Sequence, residues 1–324
     1  MALFCEFLSP YDPNTKFEDF VHAPPQRIRF LSNDGLRLPF VYQTTLNIDP
    51  VTWRKVYQPN IEALTPVRLF VRGDSYRMWG LFHSDVHLLG LSGEGTLFLL
   101  GTDALGRDVF SRVVYGARIS LTIGLIGVLL SFLFGLTLGG VSGYFGGQVD
   151  VLIQRIIEFL RSIPVLPLWM ALAAALPPHW SSLRVYFGIT LILSVIGWTG
   201  LARVVRGKLL SLREEDFVTA ARISGAGHMQ IIANHLLPST LSYIIVALTL
   251  AVPQMILAET ALSFLGLGLR PPVVSWGVLL SQAQNIHTVA LAPWLLIPGV
   301  MVIVTVLAFN FVGDGLRDAA DPYR

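Results

Sequence analysis

The stretch Glu214–Ser239, EEDFVTAARISGAGHMQIIANHLLPS, decides the fold, because it is an amphipathic segment set between long apolar runs. Its three leading acidic residues suit the start of a helix, and Gly225 and Gly227 permit a sharp break. A second short helix is expected over residues 228–237, stopped by Pro238. One apolar face of the first helix is expected to contain Phe217, Val218, Ala221 and Ile223. The pattern predicts a helix–turn–helix unit whose apolar residues are covered by another protein.

Long runs without charge surround this unit. The 324 residues are 53% hydrophobic and 14% charged, with a mean hydropathy of +0.62, which argues against a soluble globular protein. A helix needs roughly 20 apolar residues to cross a bilayer. Five stretches approach or exceed that length: 119–144, 163–183, 185–202, 239–258 and 288–313. The sequence therefore predicts an all-α polytopic membrane protein, and its net charge of +2 gives no case for a nucleic-acid partner.

Basic residues indicate the orientation of these spans. The break at 203–238 carries five lysine and arginine side chains, so the positive-inside rule places it in the cytoplasm. Counting outward from it, 314–324 becomes a cytoplasmic tail and the region before Arg118 lies outside. Residues 1–8 are too short to cross a bilayer and are expected to be the remnant of a first transmembrane helix.

Small residues, prolines and a few charges predict details within the spans. Gly135, Gly139 and Gly143 recur at every fourth position and are predicted to form a close-packing stripe on the first span. Glu259, near the outer end of the fourth span, is expected to make an interfacial hydrogen bond. Bends are expected at Pro164, Pro167 and Pro253. The second span is expected to begin near Val151, with an ion-pair cluster, or alternatively a proton relay, of Arg155, Glu158 and Arg161.

Residues 9–117 are predicted to form a β-rich extracytoplasmic domain. Its turn signals predict three hairpins, at Asn33–Gly35, Gly73–Asp74 and Gly93–Gly95. His83 and His87 are interpreted as surface or packing residues rather than metal ligands, because the pattern around them is strand-like. The single cysteine, Cys5, rules out an internal disulfide.

The sequence carries no signature of catalysis. The phosphate-binding pattern G-x-x-x-x-G-K-[ST] is absent, since Gly207-Lys208 is followed by Leu209 and lacks the earlier glycine. The hydrolase pattern G-x-S-x-G and the zinc pattern H-E-x-x-H are absent too. We therefore predict that the chain is not an enzyme, has no catalytic, cofactor-binding or metal-ligating residues, and leaves ATP hydrolysis to other subunits.

The EAA loop, the signature of ABC importer permeases, is matched by Ala220, Ala221, Gly225, Leu237 and Pro238. Two positions depart from it: Thr219 stands where the signature has Glu, and His235 where it has an aliphatic residue. Four further segments resemble the oligopeptide and dipeptide branch: Gly101–Arg118, Gly143–Gly147, Leu262–Gly268 and Asp314–Pro322. The similarity covers residues 101–324 in family order.

This resemblance implies a type I ABC importer permease fold with a β-rich extracytoplasmic N-terminal insertion, in which 118–313 form the transmembrane domain. It implies the pore-forming permease subunit of an ATP-driven importer of oligopeptides, dipeptides or a related solute. Coupling to the ATPase would be carried by Glu215, Asp216, Phe217, Ala220, Ala221, Arg222, Gly225, Ala226, Leu237 and Pro238. The implied partners are a second homologous permease, two ATP-binding ABC subunits, an extracytoplasmic solute-binding protein and the lipid of a prokaryotic cytoplasmic (inner) membrane.

Two other classes of protein compete with this interpretation. A secondary transporter or channel would explain the spans, but it predicts ionisable groups near the bilayer midplane or an internal repeat. A membrane-anchored receptor or scaffold would explain the outer domain, but it needs neither broken helices nor an apolar cytoplasmic loop. The substrate stays open, because importers of peptides, nickel complexes, sugars and opines share these motifs.

Overall fold

The computed structural model describes residues 1–32, 35–48, 50, 55–236 and 238–320. The chain divides into two compact units. The first contains Met1–Leu121 and Arg270–Met301, and the second contains Thr122–Leu269 and Val302–Arg324. Each unit is therefore assembled from two separate parts of the sequence.

An antiparallel sheet dominates the first unit. Within the described residues its strand order is β1-β2-β3-β4, with β1 at Arg29–Ser32, β2 at Gly35–Ile48, β3 at Lys55–Met78 and β4 at Phe82–Leu91. Val41, Val67 and Leu97 form the buried core beneath it. Many apolar side chains of the sheet stay exposed, Leu36 and Leu38 among them.

Two of the hairpin predictions concern the ends of this sheet, and they have different outcomes. β1 and β2 pair with Ser32 opposite Gly35, while the predicted turn residues 33–34 lie outside the described residues. The hairpin predicted at 93–95 is wrong, because β4 ends at Leu91 and no further strand pairs with it in the described part of the chain. The two glycines there have φ angles of 154° and 140°, which turn the chain out of the sheet.

An irregularity within β3 replaces the hairpin predicted at Gly73–Asp74. The strand runs past this point with a shift in register, and the chain reverses over Trp79–Leu81 instead. A Cβ at Gly73 would lie 2.9 Å from Cδ2 of the His87 ring. Both ring nitrogens of this buried histidine contact backbone oxygens, those of Ser9 and Asp74. The glycine makes room for an imidazole and does not turn the chain.

Helices complete the first unit and build the second. They are α1 Cys5–Leu8, α2 Val109–Phe145, α3 Gly147–Ser162, α4 Val165–Ala174, α5 Ser182–Leu212, α6 Asp216–Ile223, α7 His228–Ile231, α8 Leu241–Phe264, α9 Trp276–Ser281, α10 Ile286–Leu291 and α11 Ile297–Ala320. Within α8, Glu259 is buried and accepts a hydrogen bond from Ser263 Oγ at 2.7 Å.

Among the described residues, four helices are long and apolar enough to cross a membrane: α2, α5, α8, and α11 with the turn before it. The second predicted span bends at Pro164 as expected, but its second helix ends at Ala174 and does not continue to residue 183. α3 and α4 meet at 86° on either side of Pro164, and α4 has only 10 residues, about 15 Å of helix. The pair is one broken span or a re-entrant segment. On α3, Arg155 and Glu158 form an exposed ion pair at 3.1 Å, and Pro253 lies inside α8.

Two predicted apolar runs differ in extent from the helices that contain them. The apolar run 288–313 is interrupted at Ala292, and its long helical part begins at Pro293. The proline explains the break, because its ring disfavours helical conformation in the residue before it. The run 185–202 continues without interruption to Leu212, so the first ten residues of the predicted cytoplasmic loop are helical.

A buried polar network in the first unit lies at the start of α2. Asp103 accepts hydrogen bonds from the Arg107 side chain, with Nε at 2.8 Å. Asp108 caps α2, since its Oδ2 accepts from both the backbone N–H and the hydroxyl of Ser111 at 2.7 Å. All four side chains are buried. Burial raises the pKa of Asp108 to about 7 and outweighs the opposing effect of the Ser111 hydrogen bonds.

Candidate functional site

The amphipathic stretch of the second unit folds as two short helices, α6 and α7, joined by a tight turn. We call residues 216–236 the helix–turn–helix unit. α6 ends in a Schellman motif: Gly225 N–H donates to the Arg222 carbonyl and Ala226 N–H to the Ala221 carbonyl, both at 3.0 Å. Gly225 has a φ of 82°, a conformation that side chains disfavour. The glycine therefore sets the direction in which α7 leaves the turn.

One side of this unit is buried against the ends of α2 and α5. A single apolar cluster contains the buried residues Tyr144, Val205, Leu209, Val218, Ile231, Ile232 and Leu236. Ala221 and Ala226 pack at the edge of this cluster. Both short helices are thus attached to the two long ones by close apolar contact.

Tyr144, at the end of α2, is the centre of the polar contacts to the unit. Its hydroxyl oxygen lies 2.7 Å from Nδ1 of His228 at the start of α7. The guanidinium carbon of Arg222 lies 5.9 Å from the centre of the tyrosine ring. Arg213 Nη1 reaches the Tyr144 carbonyl at 3.5 Å. One aromatic residue therefore contacts both short helices and the end of α5.

The opposite side of α6 is exposed and partly apolar. Phe217 is 41% exposed and Ile223 is 83% exposed, whereas Val218 is fully buried. The single apolar face predicted for these residues and Ala221 is wrong. Successive helical residues are about 100° apart, so Ile223 points about 140° away from Val218. The apolar residues divide between an inner and an outer side.

The residues predicted to couple the chain to an ATPase lie mainly on the outer side. The exposed ones are Glu215, Asp216, Phe217, Ala220, Arg222, Gly225 and Pro238. Ala221 and Ala226 are half-buried. Leu237 lies outside the described residues.

The predicted glycine stripe lies where α2 packs closely against α5. A Cβ added to the glycine would come within 3 Å of α5 in each case: 2.9 Å from Leu201 for Gly135, 2.5 Å from Ala202 for Gly139, and 2.8 Å from Arg206 for Gly143. For the last two the nearest atoms are backbone oxygens, which cannot rotate away. The separation of the helices leaves no space for larger residues here.

Sequence reasoning missed an ion pair that ties α3 to α5. Nε and Nη2 of Arg206 each donate to a carboxylate oxygen of Asp150 at 2.5 Å, a bidentate arrangement. Ser142 on α2 donates to the same carboxylate. The partners are 56 residues apart in sequence, so no local spacing could have identified them. The contact between Tyr144 and His228 was missed for the same reason. Tyr144 itself lies in Gly143–Gly147, one of the segments that resemble the peptide branch of the family.

Comparison of the sequence with known proteins finds a matching family and similar transport permeases. The family described as "Binding-protein-dependent transport system inner membrane component" matches residues 135–323. The chain is 44% identical over 224 residues to the dipeptide transport system permease protein DppC of Bacillus subtilis, covering 68% of both chains. It is 43% identical over 230 residues to the oligopeptide transport system permease protein OppC of Haemophilus influenzae, covering 71% of both.

A solved structure resembles the fold. A chain of the MetNI methionine ABC transporter, in inward-facing conformations, superposes with a TM-score of 0.53 at 21% identity. The match covers 65% of the present chain and 97% of the other.

The chain belongs to the family of binding-protein-dependent transport system inner membrane components. The resemblance that the sequence motifs predicted is thereby confirmed. The chain is a transport permease, not an enzyme, and its helical part has the fold of an ABC importer permease.

Proposed function

We propose that this permease forms half of the pore of an ATP-driven peptide importer, and that its helix–turn–helix unit docks on an ATPase subunit. One observation carries the coupling proposal: the unit is rigidly attached on its inner side and apolar on its exposed outer side. A surface with both properties can receive a displacement from a partner and pass it to the spans.

The outer side of α6 suits a protein partner better than water or lipid. Ile223, Phe217 and Ala220 leave apolar area exposed, and Glu214, Glu215 and Asp216 place three carboxylates beside it. An apolar centre with a charged rim is the usual composition of a protein interface. Lipid is a poor alternative, because acidic side chains are costly in hydrocarbon and unfavourable beside anionic headgroups.

Displacement of the unit would move α2 and α5 together. Tyr144 and Leu209 share the apolar cluster with the unit, and the glycine stripe holds the two helices at backbone contact. Tightly packed helices move together as a rigid body, because their interface does not deform continuously. Binding of ATP by the partner would thus select one arrangement of the pore, and hydrolysis would release it.

The assembly we propose contains this permease, a second homologous permease, two ATP-binding subunits and an extracytoplasmic solute-binding protein. The named relatives transport dipeptides and oligopeptides, which supports peptides as the substrate class. In the proposed topology 9–117 lie outside the inner membrane, and the helix–turn–helix unit and 314–324 lie inside. The outer domain would contact the binding protein or the second permease.

Purification of the intact assembly tests this proposal. The tagged chain is extracted in mild detergent, and the copurifying proteins are identified by mass spectrometry. Recovery of a second permease with one or two ATPase subunits is the expected result. A stable homo-oligomer without any ATPase contradicts it and favours a channel or secondary transporter.

Uptake in proteoliposomes tests the substrate class separately. The assembly is supplied with ATP, the solute-binding protein and a labelled dipeptide or oligopeptide. ATP-dependent accumulation is expected. An assembly that hydrolyses ATP but accumulates neither peptide contradicts the peptide assignment and leaves the importer assignment intact.

A further inference from the structure

The chain reversal between β3 and β4 exposes a compact group of large apolar side chains. Leu81 is 74% exposed, Phe82 is 62% exposed and Trp79 is 48% exposed. We call residues 79–82 the hairpin tip. The surrounding segment 77–83, RMWGLFH, has a basic residue at each end, one arginine and one histidine, and contains no acidic residue. Apolar side chains that project together from a turn indicate a contact surface.

Trp79 occupies a backbone position that disfavours a large side chain. The Leu81 N–H donates to the Met78 carbonyl at 3.0 Å and closes a turn. The two central residues of this turn, Trp79 and Gly80, have φ angles of 52° and 74°. Asn and Gly are favoured at such positions, because bulky residues are strained there. Strain of this kind is found where the side chain has a use, so the turn indicates a function for the indole.

A shared carbonyl places the hairpin tip beside the start of a membrane span. The Leu3 oxygen accepts a hydrogen bond from Trp79 Nε1 at 2.6 Å and another from Arg118 Nη2 at 3.2 Å. Arg118 also pairs with Glu6 at 2.5 Å. It is the last charged residue before the charge-free run 119–144 of α2, so its guanidinium indicates where the hydrocarbon begins. The hairpin tip therefore lies near a boundary of the bilayer.

We propose that the hairpin tip inserts into the headgroup region of the bilayer and anchors the sheet of the first unit to the lipid surface. Tryptophan suits this depth, because its ring is apolar and its N–H is polar. Leu81 and Phe82 would bury apolar area beside it, and Arg77 and His83 would face anionic headgroups. In the topology proposed above, this surface is the outer leaflet. The anchor does not depend on the transported solute or on coupling to an ATPase.

A protein partner is the alternative occupant of the hairpin tip. The outer side of α6 has the composition of a protein interface, because three carboxylates, at 214–216, lie beside its apolar residues. The hairpin tip has basic neighbours instead, and it adjoins the boundary of a span. Acidic groups are unfavourable beside anionic headgroups, whereas basic groups are attracted to them. Charge and position together favour lipid.

Fluorescence quenching in nanodiscs tests the proposal on the purified permease with the subunits that copurify. Leu81→Cys is labelled with an environment-sensitive fluorophore, and the signal of the labelled wild type, whose single cysteine is the buried Cys5, is subtracted. The quenchers are a lipid with a nitroxide near its headgroup and aqueous iodide. The matched control is Ile48→Cys. Ile48 is 58% exposed and pairs with Lys55, at the end of β3 opposite to the hairpin tip.

The lipid nitroxide is expected to quench the probe at position 81 several-fold more strongly than the probe at position 48, and iodide is expected to quench it less. Strong quenching by iodide at both positions, without quenching by the lipid, would overturn the proposal, because water then surrounds the tip. Protection of position 81 from both quenchers would overturn it too, because a protein then covers the tip. Should labelled Leu81→Cys fail to assemble, Phe82→Cys decides by the same criteria.

Trp79→Asn, combined with the probe at Leu81, tests the indole as an anchor. Asn adopts a positive φ readily, so the turn is kept while the ring and its bond to the Leu3 carbonyl are lost. Quenching by the lipid nitroxide should fall several-fold, and quenching by iodide should rise. The control is Tyr76→Phe, which removes a 2.6 Å bond to the Val86 carbonyl in the same hairpin. Equal lipid quenching in the two variants would contradict the assignment of the indole.

Discussion

The hydroxyl oxygen of Tyr144 and Nδ1 of His228 lie 2.7 Å apart and join the end of α2 to the start of α7. The residues are 84 positions apart in sequence. The contact links a membrane span directly to the helix–turn–helix unit. A substitution at this contact can therefore distinguish an effect on stability from an effect on the coupling of ATP hydrolysis to transport.

Tyr144→Phe removes this hydrogen bond and keeps the ring in its apolar cluster. We expect a loss of about 1 kcal/mol in stability and a lower number of peptides moved per ATP hydrolysed. Thermal unfolding and the transport-to-ATPase ratio in proteoliposomes measure the two effects. The matched control is Tyr76→Phe, which removes a 2.6 Å bond to the Val86 carbonyl in the sheet. Equal transport-to-ATPase ratios in the two variants would show that the Tyr144 contact has no part in coupling.

The glycine stripe predicts different outcomes for neighbouring substitutions. A Cβ at Gly139 would lie 2.5 Å from the Ala202 carbonyl oxygen, whereas one at Gly140 would have its nearest neighbour, Leu209, at 3.9 Å. Gly139→Ala should destabilise the protein by about 1–3 kcal/mol through overpacking. Gly140→Ala should be neutral or stabilising, by up to about 1 kcal/mol, since alanine favours helix. Similar shifts in unfolding temperature for both would contradict the packing account.

Gly225 tests the turn between the two short helices. Gly225→Val forces a β-branched residue into a φ of 82° and should redirect α7, so that transport falls several-fold while membrane insertion persists. Gly227→Val is the control, because Gly227 lacks a positive φ and a Cβ there would have open space around it. Normal transport by Gly225→Val in a reconstituted assembly would contradict this interpretation of the turn.

Asp108 predicts a pH dependence of stability. Its pKa in the folded protein, about 7, lies above the ordinary value of 3.8, so the folded state binds the proton more tightly than the unfolded state. Stability should therefore fall as pH rises from about 4 to about 7, by at most about 4 kcal/mol. Asp108→Asn removes this contribution.

The measurement is thermal unfolding of wild type and Asp108→Asn at pH 4.5 and 7.5. The difference in unfolding temperature, variant minus wild type, should be more positive at the higher pH. Asp85→Asn serves as the control at an exposed carboxylate. An equal difference at both values of pH would mean that Asp108 is ionised throughout.

The sequence predicted the helical membrane part well, because lipid leaves the backbone few alternatives. Charge-free runs located α2, α5 and α8, and Pro164 marked the break before α4. The failures have local causes. The second apolar run continues past Ala174, where α4 ends, and Pro293 interrupts the last run. In the sheet, Gly73 resembled a turn signal but provides space for His87.

The helix–turn–helix unit was predicted in position but not in orientation. Its helices, its turn at Gly225 and its exposed apolar residues follow from sequence. The division of Val218 and Ile223 between opposite sides does not, because the burying surface comes from Tyr144 and Leu209 on distant helices. The Asp150–Arg206 pair was missed for the same reason. Contacts between remote segments leave no periodic signal in one sequence.

Site-specific crosslinking from α6 tests the central claim most directly. The chain has one cysteine, Cys5, which is buried, so an introduced cysteine can be labelled selectively. Ile223→Cys carries the crosslinker on the helix–turn–helix unit, and Leu36→Cys, 86% exposed on the sheet, is the control. The account predicts that Ile223→Cys captures the ATPase subunit in the purified assembly and that Leu36→Cys does not. Capture of the ATPase from position 36 alone, or from neither position although it copurifies, would contradict it.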